Sequence, residues 1–132
     1  MTSDELNEFA VRYARAWCSQ NPESVAAFFA ENALLTVNGG PPTPALEVAR
    51  GFMRDFPGMI VKFDRLEPRE DALAFHWTLI GTNSGPGGTG NRVQISGYEL
   101  WKIDNDGLIA ESQGHFDAAE YERQLKHGVE PL

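Results

Sequence analysis

The sequence predicts an α+β fold in which a cone-shaped, curved antiparallel sheet packs against three N-terminal helices and a short helix ends the chain. Three observations predict it. Helical periodicity dominates as far as Phe56, alternating strand periodicity takes over at Ile60, and a capped helical stretch returns after Asp117. The chain has 132 residues, which suits one domain over residues 1–132 with a single core. No internal repeat, low-complexity run or linker interrupts it.

Ser3, Asp4 and Glu5 start the first helix, and Leu6, Phe9, Ala10, Tyr13, Ala14 and Trp17 then recur at helical spacing to about Ser19. Asn21, Pro22 and Glu23 supply an N-cap, a first-turn proline and an acid for a second helix that ends near Ala30. Residues 33–37 read as a short strand, and the glycines and prolines of NGGPPTP make a loop. Thr43 and Pro44 start a third helix through Leu46, Val48, Ala49, Phe52, Met53 and Phe56, which Pro57 and Gly58 stop. Residues 60–67, 72–83 and 92–103 follow as strands. The glycine-rich SGPGGTG joins the last two, and residues 104–107 make a tight hairpin turn. The final stretch, LIAESQGHFDAAEYERQL, reads as a strand that runs directly into the last helix.

Composition narrows the function classes. Lys and Arg number 11 against 19 Asp and Glu, a net charge of −8, which opposes binding to phosphate backbones and anionic membranes. Neither nucleic acid nor a membrane is expected as a partner. The acidic, amphipathic N-terminus lacks the basic start and apolar run of a secretory signal, and a lone cysteine, Cys18, cannot pair within the chain. The cytoplasm is the expected compartment. Three histidines without paired spacing and no cysteine cluster argue against a zinc site. SGPGGTG lacks the Lys-Ser/Thr of a phosphate loop and leads into a strand. No metal and no cofactor are expected.

Chemistry is sought where titratable groups interrupt apolar faces. Strict alternation places Ile109, Glu111, Gln113, His115 and Asp117 on one face of the last strand, a polar row that needs water, a ligand or a hydrogen-bond network beside it. Asp117 has two readings. It is an acid/base with His115 beside it, or it is the cap of the last helix, since Glu120 stands at the capping-box distance. On residues 92–103, Glu99 shares a face with Val93, Ile95, Gly97, Trp101 and Ile103 and is a candidate buried acid unless a bulge returns it to water. Tyr13, one turn from Trp17, is a core residue or a phenol donating into a cavity. Asn83 ends the row of Trp77 and Leu79, where it lines the pocket mouth or makes a turn.

ARAWCSQNPESVAAFFAENALL, FHWTLIGTNSG and DGLIAESQGHFDAAEYERQL together resemble the SnoaL-like polyketide cyclases of the nuclear-transport-factor-2-like superfamily. The resemblance covers nearly the whole chain and implies a deep apolar pocket closed by the helices. It implies that Asp117 matches the cyclase acid/base for an intramolecular aldol closure, while Asn83 departs from a histidine common on that strand. Against the ketosteroid-isomerase branch, Tyr13 matches an oxyanion tyrosine and Glu99 a protonated carboxylic acid. That branch's proton-shuttling aspartate has no match, for no acid lies between Glu31 and Glu47. Limonene epoxide hydrolases match less, with His76-Trp77-Thr78 and Gly114 where their charged residues fall.

The functional expectation is proton transfer next to a carbonyl in an apolar cyclic or polyketide-like substrate. Asp117 and His115 take the proton, and Tyr13 with neutral Glu99 stabilises the enolate. Trp17, Phe52, Phe56, Trp77, Asn83, Trp101 and Gln113 are the expected substrate-binding residues. The alternative is a domain that binds a small apolar organic ligand without chemistry, or a homodimer assembled through the open sheet face.

Overall fold

A computed structural model describes residues 1–130, so the last two residues of the expected domain lie outside the described residues. Helix α1 (Ser3–Cys18) starts at Ser3 as read, with Thr2 before it as the cap. Thr2 accepts from the Glu5 amide while the Glu5 carboxylate accepts from the Thr2 amide, each at 3.1 Å. Its buried stripe of Phe9, Ala10, Tyr13, Ala14 and Trp17 faces the sheet.

Helix α2 (Pro22–Ala26) begins as read, with the Asn21 side chain accepting from the Glu23 amide. It stops four residues short of the expected end. Phe29 and Ala30 instead open strand β1 (Phe29–Val37), because Phe29 pairs with Ile109 and the Phe28 carbonyl accepts from the Ile109 amide at 2.9 Å. Asn32, at a φ of 65°, takes up the break in register between Phe29 and Leu34.

A two-residue strand β2 (Thr43–Pro44) leads into helix α3 (Ala45–Asp55). Strands β3 (Ile60–Pro68), β4 (Leu73–Thr82), β5 (Arg92–Ile103) and β6 (Ile109–Phe116) follow, then helix α4 (Ala118–His127). The six strands form one open sheet in the order β2-β1-β6-β5-β4-β3. The sheet is mixed, not wholly antiparallel, since β1 and β6 run parallel. The long path from β1 through four later strands returns β6 beside β1 in the same direction, which no local hairpin signal reveals.

The core fills the space between the helices and one face of this sheet. Trp101, Tyr13 and Phe75 are fully buried at its centre, and their rings contact one another at centroid distances of 4.8 to 5.2 Å. Helix α4 is held to β5 by Gln124, whose buried side chain accepts from the Gln94 amide at 2.7 Å and donates to its carbonyl at 3.1 Å. Among the described residues no helix is long and apolar enough to cross a membrane.

Candidate functional site

An apolar cavity opens between the inner sheet face and the helices, with about 590 Å³ of empty space counting its mouth. Trp17, Phe52, Phe75, Trp77 and Phe116 supply most of its aromatic wall. Cross-strand pairing explains why space is left there. Phe75 of β4 lies opposite Glu99 of β5, and Glu99 lies opposite Gly114 of β6, so the third position in the row has no side chain to fill it. Gly97 does related work one pair along. It lies opposite Trp77, and a Cβ at Gly97 would stand 2.6 Å from the indole Cζ2 of Trp77, so only glycine lets that ring lie where it lines the cavity.

Among the described residues Glu99 is the one carboxylate lining this space, it is 6% exposed, and no cation approaches it. Its partners are neutral donors: the Ser112 hydroxyl at 2.8 Å and the Trp101 indole at 3.2 Å donate to Oε1, and the Tyr13 phenol is 2.9 Å from Oε1 and 3.2 Å from Oε2. Strand alternation brings them together, since Trp101 is two residues on from Glu99 and pairs with Ser112. Burial raises the Glu99 pKa above the usual carboxylate range, and the bonds from Ser112, Tyr13 and Trp101 oppose that rise without cancelling it. The Tyr13 phenol is raised well above its ordinary value, by burial first and by the Glu99 charge second. It stays protonated and donates to Glu99 when that carboxyl is ionised.

The sequence that builds this cavity has a family counterpart. Residues 10–112 match the SnoaL-like domain. The chain belongs to that family. No curated protein matches the sequence. Several solved structures resemble this SnoaL-like domain in fold. A candidate polyketide cyclase from Acidithiobacillus ferrooxidans is 19% identical with a TM-score of 0.78, over 98% of this chain and 99% of that one. SalBIII, an epoxide hydrolase/cyclase-like enzyme of pyran ring formation in the polyether salinomycin, is 16% identical with a TM-score of 0.75, over 91% and 97% of the two chains. A protein of ketosteroid isomerase-like fold from Catenulispora acidiphila, in complex with trimethylamine, is 14% identical with a TM-score of 0.75, over 89% and 91%. Identities this low speak for the fold alone.

The SnoaL-like domain does not gather all the residues read from sequence. The polar row of β6 faces outward, and the inner row is Ser112, Gly114 and Phe116. Gln113 is exposed, and the His115 ring packs on Tyr98 at 5.1 Å on the outer face. Alternation holds from Glu111 to Phe116, with the polar row turned outward. A break in the β5–β6 register, where Lys102 pairs with Glu111 and Ile103 with Ile109, sets Ile109 inward although Glu111, Gln113 and His115 point out.

Asp117 is exposed and accepts from the Glu120 amide at 3.1 Å, capping α4 away from the cavity. Asp117→Ala is therefore expected to cost about 1 kcal/mol in urea unfolding, with ligand affinity of the cavity unchanged.

Of the expected binding residues, Trp17, Phe52 and Trp77 line the cavity. Phe56 and Trp101 are fully buried behind the wall. Asn83 is a loop fastener: its amide donates to the Asp55 carbonyl at 3.1 Å and accepts from the Thr89 amide at 2.8 Å. Its burial comes from tying the glycine-rich connection to the end of α3.

Tyr121 of α4 also lines the cavity and was absent from the sequence reading. The signal for it is the pair Tyr121 and Leu125, one turn apart on a helix whose other large side chains are polar. Among the described residues no group of three or more His, Cys, Asp and Glu side chains could hold a metal ion.

Tyr13→Phe tests the Glu99 cluster. Losing the phenol removes one donor to the carboxyl, so its pKa should rise further and the protein should lose about 1 kcal/mol of stability. Carboxyl titration and urea unfolding of the variant check both.

Proposed function

We propose that this SnoaL-like domain binds a neutral, largely apolar carbonyl compound in its cavity and moves a proton next to the carbonyl, with Glu99 as the group that takes and returns it. One observation carries the reading. Glu99 is a buried acid with no cationic partner whose donors gather on Oε1, leaving Oε2 with only the longer Tyr13 contact at 3.2 Å.

Desolvation that raises the pKa also makes the carboxylate a stronger base. Oε2 takes a proton from the carbon beside the carbonyl, and the electron pair of that C–H bond passes into the enolate. The charge moves from carboxylate to enolate, so the cavity carries one negative charge throughout. Neutral Glu99 then returns the proton, either to the γ-carbon of the dienolate that a β,γ-unsaturated carbonyl gives, which shifts the double bond and isomerises the substrate, or to the alkoxide formed when the enolate closes on a second carbonyl. Tyr13, Trp101 and Ser112 position the carboxyl and do not meet the substrate. The shared fold with a candidate polyketide cyclase supports a cavity of this kind.

Exchange in D2O tests this without knowledge of the natural substrate. The domain is expected to speed deuterium uptake beside the carbonyl of 1-tetralone and 2-tetralone, read by mass spectrometry, and Glu99→Gln is expected to remove the effect. Equal rates for the two proteins would overturn the proposal.

The second reading is binding without chemistry. It is favoured by the scarcity of titratable groups at the cavity, where Tyr121, pushed up to about 12, is the only other one among the described residues. Saturable tetralone binding with no exchange would establish it.

A further inference from the structure

We propose that Tyr121 is a specificity-determining residue whose hydroxyl recognises a neutral oxygen at the end of the ligand away from Glu99, so that the cavity selects apolar compounds with an oxygen at each end. The inference rests on the carbonyl of the ligand meeting Glu99, as proposed above.

The two groups stand at different places along the same wall. Glu99 faces Gly114, whereas the Tyr121 ring packs edge-on against Phe116 at 5.3 Å and lies 6.4 Å from Phe56. Gly114 and Phe116 are successive inward positions of β6, roughly 7 Å apart along the strand, and the phenol ring packs at the second of them. Their surroundings do not overlap. Glu99 is enclosed by Tyr13, Trp101 and Ser112, while the charges that act on Tyr121 are those of Asp55 and Glu122.

The phenol is placed but not used by the protein. Phe116 and Phe56 flank its ring, Gln124 fixes its helix to β5, and no protein group among the described residues hydrogen-bonds its hydroxyl. A half-buried hydroxyl beside an apolar cavity is a hydrogen-bonding group for whatever fills that cavity. Its pKa, pushed up to about 12 by burial and by Asp55 and Glu122, keeps it neutral and able both to donate and to accept. The same two carboxylates, with the net charge of −8, repel an anionic ligand end and leave a hydroxyl or carbonyl as the matching group.

Three probes separate the possibilities: 1-tetralone, 6-hydroxy-1-tetralone and 6-carboxy-1-tetralone, whose substituents stand across the ring from the ketone. Titration calorimetry of the wild-type chain should rank the hydroxylated compound about threefold to tenfold tighter than the parent, with the carboxylate weakest. Tyr121→Phe keeps the ring and the packing, and it should bind the first two compounds equally. A preference for the hydroxyl that survives in Tyr121→Phe, equal binding of the two by the wild type, or tightest binding of the carboxylate would each overturn the inference while leaving the carbonyl reading intact. Failure of all three to bind would overturn the carbonyl reading and the inference together.

Discussion

Glutamine at position 99 is expected to lower proton transfer by at least about a hundredfold, the scale of a lost general acid/base, while ligand affinity changes by no more than a few fold. The amide keeps the shape of the carboxyl and its oxygen still accepts from Ser112 and Trp101, but it cannot take a proton. The same substitution has a signed effect on stability. Because burial raises the Glu99 pKa in the folded state, the folded chain holds that proton at pH values where the unfolded chain has released it. Its contribution is fully present below the ordinary carboxylate pKa and is lost as the pH rises through the raised value. The wild type should therefore lose stability relative to Glu99→Gln across that window. Thermal unfolding of the pair at a series of pH values checks the sign.

Trp101→Ala is expected to be the most damaging core substitution, costing about 3–5 kcal/mol in urea unfolding. The ring is fully buried, stacks on Phe75 at 4.8 Å, and meets Tyr13 and Phe9 edge-on at 5.0 and 5.5 Å. Its loss empties the floor beneath Glu99 and removes one of the donors to that carboxyl. Trp101→Phe should recover most of the packing and leave the donor missing, which divides the two contributions. If the alanine variant unfolds in cells, the phenylalanine variant still reads the hydrogen bond through the Glu99 titration.

The helix starts were readable because their chemistry is local. Asn21 before Pro22 sets α2 by a side-chain cap and a fixed φ, and the limits of β5 follow from its alternation. Glu99 stood out for the same reason, as a lone acid in an apolar row. What local pattern does not carry is which face of a strand meets the core. The outward row of β6, Glu111, Gln113 and His115, is as regular as its inward row, and small Ser112 and Gly114 do not look like core until their partners on β5 are known. The parallel pairing of β1 with β6, and the shortening of α2 to free Phe29 for that pairing, depend on residues about eighty positions apart in the chain. Tyr121 was missed because its importance comes from where Gln124 docks its helix and not from its own neighbours in sequence.

The most direct measurement is a pH titration of the glutamate side-chain carboxyl carbons by 13C NMR, with Glu99→Gln to assign the resonance. The account predicts one resonance, absent in the variant, that titrates above the usual carboxylate range and shifts when 1-tetralone is added. If the Glu99 resonance titrates at or below the usual range and ignores the ligand, this carboxyl is an ordinary ionised group and the proton-transfer reading is contradicted.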